Sequence, residues 1–162
     1  MEMDAVIDST GRYRYSLSRS WGAGGSVGFI MLNPSKADDR QNDPTIRRCI
    51  RFAQAWGYGA LEVVNLFAYR TAYPRELQQV ADPTGVENDR CLLAAAQRAE
   101  ILILAWGNWG GLMGRDRTVL TLLAPYQSKL YCLGCNKFGQ PRHLLYVKGT
   151  VRPKPYEPLL HP

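Results

Sequence analysis

The stretch VGFIMLNPSKAD, residues 27–38, decides the fold. Val27, Phe29, Ile30, Met31 and Leu32 form a short, almost unbroken apolar run of strand length. A strand that is apolar on both sides needs cover on both faces, which suits the middle of a parallel sheet. The run ends at Asn33-Pro34-Ser35, because proline offers no ladder N–H and fixes φ. In open α/β sheets the carboxyl ends of the strands are where ligands bind. The polar segment that follows, from Lys36 to Thr45, has no apolar period. It reads either as a site loop or as an ordinary surface loop after a core strand.

Working outward, Asp43-Pro44-Thr45 opens a helix, with Asp43 as N-cap and Pro44 at the first helical position. Ile46, Cys49, Ile50, Phe52 and Ala53 form its apolar stripe, and glycine at 57 ends it. Arg47, Arg48 and Arg51 lie largely off that stripe, as a solvated face or a phosphate-contacting patch. Residues 60–64 form a second strand ending at Asn65, whose amide either reads the edge of a base or turns back on its own backbone. Residues 85–99 read as a helix, 101–106 as the strongest strand, 117–123 as a helix and 129–133 as a fourth core strand. On the amino-terminal side, residues 13–19 alternate as an edge strand and the turn at 21–25 suggests a hairpin with the strand at 27. The tail from residue 148 is expected to be extended and peripheral. Strands alternating with helices predict one α/β domain over residues 1–162, with a core at about 12–150. The expected architecture is three-layer α/β/α around a mainly parallel sheet.

With 162 residues, 46% of them hydrophobic and 21% charged, the chain is long enough for one proper core and ordinary in composition. A net charge of +6 permits a polyanionic partner without requiring one. Cys132 and Cys135 have C-x-x-C spacing, but no second pair and no convincing fourth ligand accompany them, so no metal or other cofactor is expected. The polar segment MEMDAVIDSTGRYRYSLSR and the lack of any apolar run of about 20 residues predict a cytoplasmic protein with no leader and no membrane contact.

Nucleophile-elbow, phosphate-loop and paired-histidine motifs are absent from the sequence. His143 and His161 are its two histidines, the latter in the tail. What remains is an amide-rich, basic and aromatic site, suited to water attack assisted by hydrogen bonds and electrostatics rather than to covalent catalysis. Phe67, Tyr69, Trp106 and Trp109 lie near strand ends, where aromatics either stack a base or fill the core.

The segments MLNPSKAD, NDPTIRRC, VVNLFAYR, AWGNWG and LGCNKFGQPRH, in that order, resemble a bacterial and phage family known as domain of unknown function 1643. More distantly, the strand ends are similar to those of the uracil-DNA glycosylase superfamily. Asn33-Pro34 looks like its water-positioning motif, Asn65 like its base-reading Asn, and Trp106-Gly107 like its third strand end. His143 looks like its charge-stabilising His, without the usual His-Pro-Ser context. The resemblance implies hydrolysis of the N-glycosidic bond of a modified or damaged base, with DNA or a nucleotide as partner; the alternative is a non-catalytic binder on the same fold. It puts Asn33, His143 and Asp43 in catalytic roles, although helix capping also accounts for Asp43. Asn65, Phe67, Trp106 and Asn108 would contact the base, and Ser35, Lys36, Arg47, Arg70 and Arg142 the phosphates. Extruding a base would cost a few kcal/mol, which those contacts must offset.

Overall fold

A computed structural model describes residues 1–158. Among the described residues ten regular elements follow one another: β1 (Glu2–Ile7), β2 (Arg14–Ser20), β3 (Ser26–Met31), α1 (Pro44–Ala55), β4 (Ala60–Asn65), α2 (Asn88–Arg98), β5 (Ile101–Leu104), α3 (Arg115–Leu122), β6 (Leu130–Cys132) and β7 (Lys154–Pro155). Short 3-10 turns link several of them.

The seven strands form one sheet in the order β1-β2-β4-β3-β5-β6-β7. β4, β3, β5 and β6 are mutually parallel, whereas β1, β2 and β7 join antiparallel. The expectation of a mainly parallel sheet is therefore corrected to a mixed one, with a parallel centre and antiparallel flanks. The centre follows the sequence logic. Val27, Phe29 and Met31 pack into an apolar cluster with α1, while Ile30 and Leu32 pack into a second cluster with α2 and α3. Helices thus cover both faces. Right-handed crossovers require this arrangement: β3 to β4 runs one way, β4 to β5 runs back past β3, so α1 and α2 must lie on opposite faces.

α1 is built as its residues dictate. Asp43 Oδ1 accepts the Ile46 N–H at 2.9 Å, and Pro44 occupies the first turn. At the other end Gly57 adopts φ +87°, with Gly57 N–H donating to Gln54 O and Tyr58 N–H to Ala53 O, a Schellman closure.

The flanks depart from expectation. β2 and β3 do not form a hairpin, because β4 lies between them. Their connection crosses the start of β4, where Trp21 and Gly22 N–H donate to Gly59 O and Gly59 N–H donates to Gly25 O. Only glycine permits that crossing: a Cβ at 59 would lie 2.3 Å from Gly22 O. β2 is also not the edge. The alternating segment EMDAVI supplies β1 outside it, with odd residues half-buried and even ones exposed. At the opposite side the tail is not peripheral, since Lys154 and Pro155 pair with β6 and Tyr156 is buried. His161 lies outside the described residues.

Gly59→Ala is expected to lower unfolding free energy by roughly 1–3 kcal/mol, the usual cost of forced overpacking. Urea denaturation checks this, with the slope unchanged if the folded state keeps its extent.

Candidate functional site

The carboxyl ends of the parallel strands open into a cleft of about 810 Å³. β3 leads to one neighbour and the chain then returns past it to the other, so strand order reverses about β3, the position at which α/β sheets leave a crevice. Asn33, Asp43, Asn65, Trp106, Asn108 and His143 line this cleft. Ser35, Lys36 and Arg142 line it too. Residues separated by more than a hundred positions therefore share one cavity.

The loop from Asn33 to Asp43 carries much of the wall. Its carbonyls turn inward, and buried carbonyls need donors. Arg70 Nε donates to Ser35 O at 3.0 Å and Nη2 to Lys36 O at 3.2 Å. Arg14 Nη1 donates to Ala37 O at 3.0 Å. Arg19 reaches Asp38 O and Gln41 O with Nη2 and Asn42 Oδ1 with Nε. Within the loop, Asp38 Oδ1 accepts Arg40 and Gln41 N–H groups, which hold its carboxylate below the usual range. Asp43 Oδ2 accepts the Ala37 N–H at 3.3 Å while Oδ1 caps α1. The capping role expected for Asp43 is thus observed, and its charge faces the cleft as well.

Asn33 is oriented without ambiguity. Its Nδ2 donates to Thr71 O at 2.8 Å and to Pro34 O at 3.0 Å, so the amide nitrogen must be the atom on that side. Oδ1 remains as a free acceptor in a cleft-lining residue.

His143 caps a 3-10 turn, Leu144–Tyr146, through Nδ1, which accepts the Leu145 N–H at 3.1 Å. A ring nitrogen that accepts carries no proton, so the neutral imidazole bears its hydrogen on Nε2. Burial lowers the pKa of the ring from its ordinary value. The residue is therefore a neutral N–H donor at physiological pH.

Asn65 is only 1% exposed, and neither Nδ2 nor Oδ1 has a hydrogen-bond partner. Leaving both amide atoms buried and unpaired costs roughly 1–3 kcal/mol each, so the site is held against its own preference. The surroundings fix the backbone. Asn88 Nδ2 donates to Asn65 O at 2.9 Å and Leu66 O at 3.0 Å, and Arg115 Nε donates to Leu66 O at 2.8 Å. Arg115 is itself paired with Asp89 at 2.6 Å. Asn65 thus borders the cleft with a fixed backbone and an amide whose donor and acceptor sides are both buried and unpaired.

Three of the expected contact residues, Phe67, Arg70 and Arg47, do not line the cleft. Phe67 is fully buried in the cluster beneath α2 and α3, so its ring presents no face for stacking. Arg70 clamps the loop backbone rather than standing free. Arg47 is exposed on α1 outside the cleft, with Nη1 directed to Asn42 O. Trp106 borders the cleft but is 2% exposed, its Nε1 donating to Gln140 Oε1 at 2.8 Å. Asn108 accepts from Asn136 Nδ2. Conversely, Arg14, Asn136, Leu145 and Tyr146 line the cleft unanticipated, and Trp109, which the sequence offers for stacking or for the core, lines it too. Trp109 and Tyr146 are exposed and supply the aromatic surface that Phe67 does not. Tyr146 had one available signal, its place three residues after His143; Arg14 had none, since a strand arginine normally faces solvent.

All four cysteines are free, Cys132 buried in β6 and Cys135 exposed after it. Among the described residues, no three His, Cys, Asp or Glu side chains gather as a metal site would need, and no helix is long and apolar enough to cross a membrane.

The depressed pKa of His143 makes a pH prediction. Below about pH 6.5 the unfolded chain takes up a proton that the folded ring resists, so stability falls as pH falls. His143→Gln removes that contribution. Paired urea melts at about pH 7 and about pH 5 should show the wild type losing more stability than the variant. An equal loss in both would contradict a buried neutral imidazole.

No curated protein and no solved structure matches the chain. A family model described as a protein of unknown function (DUF1643) matches residues 14–145, a span that includes every cleft residue discussed except Tyr146. The chain belongs to the DUF1643 family.

Proposed function

We propose that the cleft hydrolyses the N-glycosidic bond of a modified or damaged base, in DNA or in a nucleotide, on a uracil-DNA glycosylase-like fold. The single observation that carries this reading is the buried Asn65 amide with both polar atoms unpaired, in one cavity with Asn33 and His143. An amide free on both sides matches the adjacent donor and acceptor on a base edge. The order of strand-end motifs, Asn33-Pro34, Asn65, Trp106-Gly107 and His143, is similar to that superfamily and supports the same reading.

The roles follow from the hydrogen-bond geometry. The attacking water donates a hydrogen bond to Asn33 Oδ1, which aims the lone pair of the water oxygen at the anomeric carbon. That oxygen bonds to carbon as the carbon–nitrogen bond breaks, and the bonding electron pair leaves with the base. His143 Nε2–H donates to a base oxygen where negative charge collects, and the water's proton passes to solvent or to the departing base. A neutral imidazole suits this work, because it donates without itself having to be charged in a dry site. Asp43 places a negative charge near the developing oxocarbenium sugar. Trp109 and Tyr146 offer stacking surface at the opening, and Ser35, Lys36 and Arg142 offer phosphate contacts.

One observation favours binding without turnover. Asp43 is the acidic residue in the cleft wall, and its carboxylate is committed to capping α1 and to holding the Ala37 N–H rather than to a general base's work. A panel of duplexes carrying uracil, oxidised or phage-type modified bases, assayed for abasic sites, separates the two readings. Under the hydrolase reading, Asn33→Ala and His143→Ala each lower turnover by about 10²–10³-fold while DNA binding persists, as expected for loss of one preorganised polar group. Binding without abasic sites on any substrate would favour the alternative. Either way, affinity for DNA should fall steeply with salt through counterion release, and a flat salt response would exclude both.

A further inference from the structure

Three arginines are buried: Arg14 at 2% exposure, Arg19 at 1% and Arg115 at 6%. Burial of a guanidinium is tolerated when its donors find acceptors and its charge finds a counter-charge. Arg115 has both, through Leu66 O and the Asp89 carboxylate. Arg19 has no carboxylate but employs every nitrogen: Nε on Asn42 Oδ1, Nη1 on the Asp4 and Ser18 carbonyls, Nη2 on those of Asp38 and Gln41.

Arg14 is compensated only in part. Its Nη1 donates to Ala37 O, its Nε has no partner, and among the described residues it enters no ion pair. Burial lowers its pKa to about 10; the charge of Asp43 opposes that shift and the charge of Arg70 adds to it. Asp43 does not complete it, since its carboxylate forms no ion pair with Arg14 and acts on it only through its charge. Alone among the three, Arg14 lines the cleft, with Ser35, Lys36 and Thr45 in the same wall.

We propose that Arg14 is the anion receptor of this cleft, taking an oxyanion of the ligand, a phosphate or a carboxylate, on guanidinium N–H groups that the protein leaves unused. The depth of the residue narrows the ligand. A phosphodiester within a strand meets exposed cations such as Lys36 and Arg142, whereas a guanidinium 2% exposed is reached only by a group that enters the cleft. The oxyanion is therefore a terminal phosphate of a nucleotide or a carboxylate carried on the base itself. Charge-assisted hydrogen bonds in a water-poor cavity are the strong kind, and fork geometry suits both groups.

The inference rests on the preceding reading only for placing a nucleobase in the same cleft, and inorganic phosphate tests Arg14 with no base present. Wild-type protein is titrated with inorganic phosphate, with deoxynucleoside monophosphates and their nucleosides, and with a pyrimidine carboxylate and its unsubstituted parent. Binding is followed by calorimetry and by the Nε–H resonance of Arg14. At least one oxyanion-bearing ligand should bind about tenfold or more tightly than its oxyanion-free counterpart, a difference of about 1.4 kcal/mol. The Arg14 Nε–H resonance should move on saturation, and Arg14→Gln should level the two affinities. The phosphate and carboxylate arms tell the two sources apart. If Arg14→Gln does not fold, the wild-type resonance decides. Equal affinity within every pair, with that resonance unmoved, overturns the receptor. Phosphate binding at Arg14 in a protein that releases no base supports the receptor and refutes hydrolysis; base release with Arg14 unresponsive refutes the receptor alone.

Discussion

Ala37 is gripped at both of its backbone polar groups, its N–H by Asp43 and its carbonyl by Arg14. Most of the site depends on that grip. The loop after β3 is polar and aperiodic, yet it packs against the sheet with Ala37 fully buried. Such a loop survives burial only if its carbonyls are satisfied, and Arg14, Arg19 and Arg70 satisfy them with guanidinium donors from β2 and from the segment after β4. The same loop then carries Asn33, Ser35 and Lys36 along the cleft and delivers Asp43 to the start of α1. Basic residues that look like an invitation to polyanions are thus partly internal fasteners.

Sheet topology supplies the second constraint. Because α1 and α2 must lie on opposite faces, the carboxyl ends of β3, β4 and β5 are left uncovered between them, and the polar residues that terminate those strands border one crevice. The backbone at Asn65 is over-determined, tied by Asn88 and Arg115 from the α2 and α3 side, while its amide is left with no partner. Rigidity of the main chain and vacancy of the side chain belong together: an amide free to rotate toward an internal partner would not remain available to a ligand.

Electrostatics in the cleft follow from depth rather than from net charge. The formal charge is +6, but Arg14, Arg19 and Arg115 among its cations are buried. Within the cleft, burial turns His143 into a neutral donor and strains the protonated state of Arg14, and Asp43 is the acidic residue in the wall. A site of this kind favours ligands that bring acceptor atoms and negative charge inward. Aromatic surface lies at the opening, in Trp109 and Tyr146, and not at Phe67, which belongs to the core.

Local chemistry made several features legible in the sequence alone. The β3 run, the Asp43-Pro44 helix start, the Gly57 stop and the polar strand ends at Asn33 and Asn65 each rest on interactions within a few residues, so composition and spacing reveal them. The convergence of Asn33 and Asn65 also followed, because a parallel sheet gathers its carboxyl ends on one edge, whereas His143 reaches the cleft from the loop well past β6. Pairing partners were not legible. That β4 separates β2 from β3, that EMDAVI adds an outer strand and that residues 154–155 close the far edge depend on contacts between distant segments, which leave no local mark. The fates of the arginines were equally hidden: Arg14, Arg19 and Arg70 resemble surface cations until the fold brings the carbonyls of residues 35–41 against them. A guanidinium's role is set by which acceptors surround it, and only tertiary structure supplies those.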